Sequence, residues 1–323
     1  MRARFPHAAD ATLAAVEPAD PTAVRAVRRA VLRWFDRRGR PLAFRGSTDP
    51  YAVLVSEVML QQTQVARVEP AWRAFVSRFP ALADLAAASP ADVLRAWAGL
   101  GYNRRALDLG RAARAVVERH GGRLPGDVAA LEALPGVGPY TARAVAAIAF
   151  GVPVAAVDTN VRRVVSRLVG AATAPPPRTI QRIADGLVGP GRPADWMHAL
   201  MDLGAALCRP RVPRCGECPV RSLCASAGQL IGASPGPARA RVRARVGVAE
   251  PYPATTRWLR GRIVERLRAA PDGTYLAFGE PLGDHPSARV AVALRRLAAE
   301  GLVELDGLGR ARLPTSPAGA VSG

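Results

Sequence analysis

The residues best suited to chemistry are two acids in contrasting local settings. Glu57 lies in a stretch between Tyr51 and Arg67 that has hydrophobic residues at helical spacing and no Gly or Pro, which predicts one mostly buried helix. Burial disfavours the charged form of a carboxyl group and raises its pKa toward neutrality. Asp158 stands just before a later segment with helical periodicity. At this N-cap position the helix dipole keeps a carboxylate ionised.

Each acid also has a purely structural explanation. Glu57 could pair with one of the many arginines, and an Asp at an N-cap stabilises its helix by about 1 kcal/mol without any catalytic role. Two carboxyl groups with opposed protonation states are, however, the means by which enzymes cleave glycosidic bonds through an oxocarbenium-like transition state. The pair therefore indicates a glycosidic-bond hydrolase, which other segments have to support.

All four cysteines fall within one short segment, with the spacing Cys-x6-Cys-x2-Cys-x5-Cys. Such clustering, in a chain whose N-terminus lacks the apolar core of a secretory signal, favours metal ligation over disulfides. A zinc ion and a 4Fe-4S cluster both accept four thiolates, and the spacing alone does not separate them. The predicted ligands are Cys208, Cys215, Cys218 and Cys224.

The composition favours a polyanionic partner. The 323 residues include 45 basic side chains, all Arg, against 26 acidic ones, for a formal net charge of +19. Guanidinium groups bind phosphates through two oxygens at once, although a compositional bias toward Arg and Ala is the alternative explanation. No apolar run is long enough to span a bilayer, so we expect a cytoplasmic protein with no membrane contact.

The pattern before residue 240 predicts an all-α main domain, beginning with an amphipathic helix from Pro21 to Arg38 that stops at Gly39. Almost no period-two alternation is present in this part of the chain. The helices that follow are short and are separated by Pro and Gly.

Two glycine-containing turns are candidates for contact with a nucleic acid backbone. The first carries Tyr102 for base stacking, with Arg104 and Arg105 for phosphates. The second places Gly136 and Gly138 before a helix whose free N–H groups favour anions. A plain turn between helices is the alternative for each.

Taken together, these residues resemble a known family over residues 22–228. The matching motifs are Glu57–Val65, Gly99–Tyr102, Leu134–Gly138, Val157–Val161 and Met201–Gly204, followed by the cysteine spacing. They resemble the helix-hairpin-helix base-excision glycosylases of the endonuclease III superfamily, and most closely the adenine DNA glycosylases of the MutY type. The resemblance implies a two-lobed all-α fold, a 4Fe-4S cluster rather than zinc, and double-stranded DNA containing a mispaired adenine as substrate.

The resemblance also implies catalytic roles. Glu57 would protonate adenine N7, and Asp158 would stabilise the sugar cation. Tyr140 and Asn160 match residues that support this step. Bifunctional relatives carry a Lys at the position of Tyr140, so the resemblance implies hydrolysis of the base with little or no strand cleavage.

The implied DNA contacts lie outside this catalytic set. Gln62 and Tyr102 would wedge into the duplex. The other DNA-binding positions are Arg45, Arg104, Gly136 and Gly138. Three positions depart from the family pattern, namely Phe44, Asn103 and His198.

Beyond Cys224 the composition changes. Residues 229–256 are rich in Pro, Gly and Arg and predict a linker, and residues 257–315 predict helices followed by a hairpin around Gly307 and Gly309, which resembles a winged helix. This segment shows no resemblance to the Nudix-like domain of longer adenine glycosylases. The predicted domains are a disordered N-terminus at 1–21, the glycosylase core at 22–228 with its cluster loop at 206–226, the linker, the winged-helix-like domain and a tail at 316–323.

Two other functions stay open at this point. One is a mismatch thymine or uracil DNA glycosylase of the same superfamily. The other is a non-catalytic, DNA-binding iron–sulfur protein, which the retention of both acids makes the weaker alternative. In each case we expect a monomer.

Overall fold

The computed structural model describes residues 20–171, 175–231 and 250–316. These residues form fourteen α-helices and one two-stranded antiparallel sheet, so the predicted helical fold is confirmed. The predicted disordered N-terminus, much of the predicted linker and nearly all of the tail lie outside the described residues. No helix in the described ranges has the length and apolar character needed to cross a membrane.

In chain order the helices are α1 Pro21–Arg38, α2 Pro50–Leu60, α3 Val65–Arg78, α4 Leu82–Ala87, α5 Pro90–Ala96, α6 Arg104–His120, α7 Val128–Glu132, α8 Pro139–Ala149, α9 Thr159–Leu168, α10 Pro177–Leu187, α11 Pro193–Ala206, α12 Ala227–Leu230, α13 Thr256–Ala269 and α14 Ser287–Ala299. The strands are β1 Glu304–Leu305 and β2 Ala311–Arg312.

The chain divides into two compact units that each draw on separate segments. Unit 1 comprises Met1–Val53, Gly126–Glu132 and Val137–Arg243, and unit 2 comprises Leu54–Pro125, Ala133–Gly136 and Ala244–Gly323. The C-terminal elements α13, α14, β1 and β2 thus share a unit with α3 to α6. The domain boundaries suggested by the sequence stay a prediction.

Unit 1 is built on the amphipathic faces of α1, α9, α10 and α11. On α9, Val161, Val164, Val165 and Leu168 follow the spacing of one helix face, and all four are buried. α11 packs against both α1 and α9 and contributes the buried Trp196. Burial of this apolar surface supplies the main stabilisation of the unit.

Unit 2 has an aromatic centre. The Phe75 ring of α3 lies 5.0 Å from that of Phe79 and 5.9 Å from that of Trp97, and both pairs meet edge to face. α6 packs against α4 and α5. Trp97 Nε1 donates to the Gly101 carbonyl at 3.1 Å, which ties the aromatic cluster to the turn that carries Tyr102.

One prediction about unit 2 is wrong. The single helix expected between Tyr51 and Arg67 is two helices, because α2 ends at Leu60 and α3 begins at Val65. The turn between them includes Gln62, whose φ of 55° is in the left-handed region that side chains other than glycine rarely adopt. No glycine or proline in the sequence marks this break.

The C-terminal elements are tied to the rest of unit 2 by two interlocking arginines. Arg268 of α13 donates to the Leu94 carbonyl and to Asn103 Oδ1, each at 2.8 Å. Arg95 of α5 donates in return to the carbonyls of Arg268 and Ala270, at 3.3 and 3.1 Å. Burial lowers the pKa of Arg268 to about 10, so the guanidinium is still charged at neutral pH.

The predicted C-terminal hairpin is present. β1 and β2 pair in antiparallel fashion, with Leu305 opposite Ala311. Ala311 also bridges Leu276, which adds one further ladder contact. The assignment of this region to the winged-helix class stays a prediction.

Candidate active site and nucleic-acid contacts

Asp158 is held by two hydrogen bonds at the start of α9. Its Oδ1 accepts from the Val161 backbone N–H at 2.6 Å, the bond of a helix N-cap. Its Oδ2 accepts from Asn160 Nδ2 at 2.8 Å. The second bond fixes the carboxylate oxygen that the N-cap leaves available.

Asn160 is itself held by Arg163. Arg163 Nη2 donates to Asn160 Oδ1 at 2.7 Å and to the Gly204 carbonyl at 2.8 Å, while its Nε donates to the Cys208 carbonyl at 2.7 Å. A Cβ atom at Gly204 would lie 2.7 Å from the Asn160 Cβ, so only glycine permits this approach. The carboxylate is thus connected through two side chains to the first cysteine of the cluster segment.

Tyr140 lies in the first turn of α8 and is partly buried. Its hydroxyl donates to Met201 Sδ on α11 at 3.8 Å, a weak bond that orients the ring. Both α8 and α9 pack on α11, so this helix is the common support for Tyr140 and for the Asp158–Asn160 pair. The predicted supporting residues therefore belong to one unit.

Asp202 on α11 joins two arginines in an ion-pair network. Arg45 Nη1 and Nη2 donate to its two carboxylate oxygens at 2.8 and 2.9 Å, and Arg40 Nε adds a bond of 2.7 Å. Burial alone would raise the pKa of Asp202, but the hydrogen bonds from Arg45 and Arg40 outweigh it and lower the pKa to about 2. Arg45 was predicted to contact DNA, which stays a prediction beside the structural role seen here.

We expect Asp202→Ala to lower the free energy of unfolding by about 3–5 kcal/mol, because it leaves the Arg45 guanidinium buried without its counter-charge. Denaturant unfolding measures the change. Since the pKa of Asp202 is depressed, this stabilisation is present at neutral pH and is lost as the pH falls toward 2. The matched control is Asp36→Ala, which breaks an exposed pair with Arg192 and should cost far less. Equal losses would contradict the buried network.

His198 is a buried neutral histidine. Desolvation lowers its pKa to about 4, and the nearby positive charge of Arg45 adds to the effect. Its ring lies 6.5 Å from that of Phe35 on α1. His198 is therefore a neutral imidazole at pH 7 and has the burial of a core residue.

Glu57 lies in the apolar part of α2 with 5% of its surface exposed. A proton donor needs its carboxyl group in the neutral form, and the expectation from the sequence that burial supplies this state stays a prediction. Glu57 belongs to unit 2 and Asp158 to unit 1. That the two acids act as a catalytic pair stays a prediction.

Arg105 does not face outward for phosphate contact as the sequence suggested. Its Nη1 donates to the carbonyls of Val58, Met59 and Gln61 at 2.7, 3.1 and 2.5 Å. These oxygens belong to the C-terminal turn of α2, where helix carbonyls lack intrahelical partners. Arg105 therefore ends α2 and fixes the turn that carries Gln62.

Tyr102 is presented in a strained conformation on the turn before α6. Its φ is 45° and 44% of its surface is exposed. The guanidinium carbons of Arg105 and Arg257 lie 5.5 and 4.9 Å from its ring centroid, within cation–π range. A strained, exposed aromatic side chain held by two cations is typical of a functional contact rather than of core packing.

The glycines of the predicted hairpin serve different purposes. Gly136 has a φ of 75°, and a Cβ there would lie 2.6 Å from the Asp108 Cβ, so the position admits only glycine. Gly138 is the N-cap of α8 and offers no side chain to cap the first N–H groups of that helix. These donors, with the dipole of the eleven-residue helix, favour an anion.

The four cysteines are free thiols that line one apolar cavity in unit 1, together with residues that include Val164, Leu168, Leu203 and Leu207. Burial raises the pKa of Cys218 to about 11, and the neighbouring thiols add to the effect. Among the described residues no three potential ligands converge closely enough to hold a single ion. A zinc ion would need its sulfurs about 2.3 Å from one point, whereas a 4Fe-4S cluster binds its four thiolates through separate iron atoms.

Comparison with known proteins identifies the family. Residues 55–190 match the model for the HhH-GPD superfamily base excision DNA repair protein. An adenine DNA glycosylase from Mycolicibacterium smegmatis is 42% identical over 285 residues, which cover 87% of this chain and 93% of that protein. The chain belongs to the HhH-GPD superfamily. The resemblance inferred from the sequence motifs is thereby confirmed.

Other relatives of this HhH-GPD protein support the same family assignment. A human adenine DNA glycosylase is 44% identical over 218 residues, which are 64% of this chain and 40% of the human protein. A solved thermostable thymine-DNA glycosylase superposes with a TM-score of 0.61 at 30% identity, covering 64% of this chain and 98% of that structure. Endonuclease III in a trapped covalent intermediate with DNA has a TM-score of 0.56 at 23% identity, which supports the fold alone.

The sequence patterns did not single out several residues that lie around the site of this HhH-GPD protein. Arg163 could have been found, because it lies three residues after Asn160 on one helix face. Arg257 and Arg268 carry no local signal, because their partners are more than 150 residues away along the chain. Long-range packing alone brings them to the Tyr102 turn.

Proposed function

We propose that this protein is a monofunctional adenine DNA glycosylase of base excision repair, which hydrolyses the N-glycosidic bond of adenine mispaired with 8-oxoguanine or guanine. The observation that carries the proposal is the 42% identity over nearly the full length of a mycobacterial adenine DNA glycosylase. The buried acid and the capped carboxylate supply the two chemical roles that such a reaction needs.

In the proposed reaction Glu57 gives its proton to N7 of the extruded adenine. Protonation withdraws electrons from the ring, so the C1′–N9 bond breaks with its electron pair leaving on the base. The carboxylate of Asp158 stabilises the positive charge that develops on the sugar, while Asn160 holds that carboxylate in place. Water then adds to C1′ and loses a proton, which leaves an abasic sugar and free adenine.

Strand cleavage is not expected to follow. A lyase step starts when an amine attacks C1′ to form a Schiff base, and Tyr140 presents a phenol instead. Its proposed role is to support the sugar cation beside Asp158. Little or no AP lyase activity is therefore part of the proposal.

The proposed DNA contacts form two groups. Gly136 and Gly138 bind backbone phosphate through free N–H groups, as a helix start without a capping side chain permits. Gln62 and Tyr102, both with positive φ, insert beside the extruded nucleotide, and Arg104 meets phosphate. The cost of extrusion, a few kcal/mol, has to come from such contacts. Arg45 is the remaining proposed contact.

We also propose that Cys208, Cys215, Cys218 and Cys224 hold a 4Fe-4S cluster. When bound, the cluster supplies a rigid cross-link that fixes the cysteine segment. Arg163 and Arg167 would hold this segment to α9, since they donate to carbonyls of Cys208 and Arg209. The fixed segment would thereby support Asn160 and the carboxylate that it orients.

Purified protein is expected to contain about four iron and four sulfide ions per chain, following the stoichiometry of the cluster. Cys218→Ser should reduce both contents and lower the unfolding temperature, while Ser222→Ala in the same segment should change neither. Stoichiometric zinc in place of iron would contradict the assignment. Metal analysis and visible absorbance provide the measurements.

Single-turnover assays on a panel of duplexes test the function. We expect adenine to be released opposite 8-oxoguanine and guanine much faster than opposite cytosine or thymine. Duplexes with thymine or uracil opposite guanine test the alternative of a mismatch thymine or uracil DNA glycosylase, the class of the superposed thymine-DNA glycosylase. Release of thymine or uracil without release of adenine would overturn the proposal.

The proposed enzyme acts as a monomer in the cytoplasm. All the proposed catalytic groups and cluster ligands come from one chain, so the reaction needs no second subunit. Sedimentation of the protein with and without duplex DNA measures the number of subunits.

A further inference from the structure

A cavity of about 730 Å³ in unit 2 lies outside the proposed catalytic groups. The turns that carry Gln62 and Tyr102 form one wall, and Tyr252 and Arg257 from the C-terminal segment line it as well. Its volume lies in the range of about 300–1,000 Å³ that is typical of ligand sites. The C-terminal segment therefore shares a cavity with two residues that are proposed to contact DNA.

The aromatic side chains of this cavity are exposed. Tyr102 has 44% of its surface accessible and Tyr252 has 61%, and both line the cavity. Within the described ranges these are the exposed tyrosines, because Tyr51 is buried and Tyr140 and Tyr275 are partly buried. Accessible aromatic faces in a polar cavity are stacking surfaces for nucleic acid bases.

Most of the charged groups that line the cavity already have partners. Arg260 makes two bonds to the Glu300 carboxylate at 2.8 and 2.6 Å. Arg104 lies 3.8 Å from Asp108, and Arg105 donates to backbone carbonyls. Arg67 lines the cavity as well, and no carboxylate among the described residues lies within ion-pair distance of it.

In the part of the chain that the structure describes, Arg257 also lacks a carboxylate partner and, unlike Arg67, contacts an aromatic ring of the cavity. It is exposed, and no carboxylate among the described residues lies within ion-pair distance of it. Its guanidinium lies 4.9 Å from the Tyr102 ring centroid. A cation positioned on an aromatic ring and without a counter-charge is available for a phosphate group.

The wall around Arg257 is rigidly supported. Thr255 caps α13 through a bond from the Trp258 N–H at 3.2 Å, which fixes the turn that carries Arg257. On the opposite side, Arg268 holds Asn103, the residue after Tyr102. The two halves of the site are therefore positioned before any ligand binds, which lowers the entropic cost of binding.

We propose that this cavity binds one nucleotide of the DNA, with the phosphate on Arg257 and the base or sugar against Tyr252. The inference rests on the proposed function, because it takes DNA as the substrate. It assigns DNA contact to the C-terminal segment and names the two residues that make it. An acidic peptide is the competing partner, but two exposed aromatic rings beside a guanidinium without a counter-charge match a nucleotide better.

The test measures equilibrium binding of the full-length protein to a fully paired duplex, which is not a substrate, over a series of salt concentrations. Arg257→Ala should weaken binding about tenfold and reduce the slope of log K against log salt by about 1, as expected for one lost phosphate contact. Arg257→Lys should restore most of the slope, since it retains the charge. The matched control is Arg262→Ala on the same helix, whose guanidinium lies over Trp258 and pairs with Glu265.

A second measurement tests the base contact. Tyr252→Ala should weaken binding of a duplex that contains one unpaired nucleotide more than binding of the fully paired duplex, whereas Tyr252→Phe should bind both like the parent protein.

An unchanged salt slope in Arg257→Ala, or equal weakening of the two duplexes in Tyr252→Ala, would overturn the inference. If Arg257→Ala weakened the binding of acidic peptides and not the binding of DNA, the inference would be overturned as well. Failure of the proposed function has a different signature, since it appears as absence of adenine release by the parent protein. Salt-dependent binding needs no catalysis, so the two failures are distinguishable.

Discussion

Asp158→Asn is expected to lower the single-turnover rate of adenine release by at least about 10³-fold, equivalent to about 4 kcal/mol of transition-state stabilisation. The carboxylate charge is lost at the point where positive charge develops on the sugar. Asn is as good an N-cap residue as Asp, so the bond from the Val161 N–H and the stability of α9 should be retained. DNA affinity should also persist, because the acid is not a proposed DNA-binding group.

The chain offers a matched control for this change. Asp20 caps α1 by accepting a bond from the Thr22 N–H at 2.9 Å, in the same geometric role. Asp20→Asn should leave both the rate and the unfolding temperature near the parent values. If Asp158→Asn behaves like Asp20→Asn, the acid is only a cap and the assigned mechanism is wrong.

Glu57→Gln is expected to lower the same rate by about 10²–10⁴-fold, the usual contribution of a general acid. The amide keeps the volume and polarity of the side chain in a site where only 5% of the residue is exposed, so the fold should be kept. Glu69→Gln on the partly exposed surface of α3 is the control, and it should be silent. An unchanged rate in Glu57→Gln would remove the proton donor from the mechanism.

Local sequence signals predicted much of the fold and the candidate residues. The helix from Pro21 to Arg38 ends as predicted, because Gly39 and the amphipathic pattern are both local. Asp158 was recognisable as an N-cap for the same reason. The hairpin glycine Gly136 was recognisable too, although the Asp108 side chain that requires it is visible only in the structure.

The errors arose where distant residues decide the local conformation. The stretch after Leu60 has the composition of a continuing helix, and it turns because Arg105, more than forty residues later, binds the terminal carbonyls of α2. Likewise Asn103 looked like an unexplained departure from the family pattern. Its amide oxygen accepts a bond from Arg268, 165 positions away in the chain. Neither contact can be derived from periodicity or spacing.

Unit 2 is built from segments that lie far apart in the sequence, and this has a consequence for protein synthesis. The Ala91 N–H donates to the Pro314 carbonyl at 2.9 Å, and Arg95 pairs with Asp272, 177 positions away. A nascent chain therefore leaves the ribosome tunnel with unit 2 unfinished until Pro314 has been synthesised. A stop codon shortly before this position would not merely remove an accessory segment. It would deprive an earlier helix of its partners and expose apolar surface to chaperones and proteases.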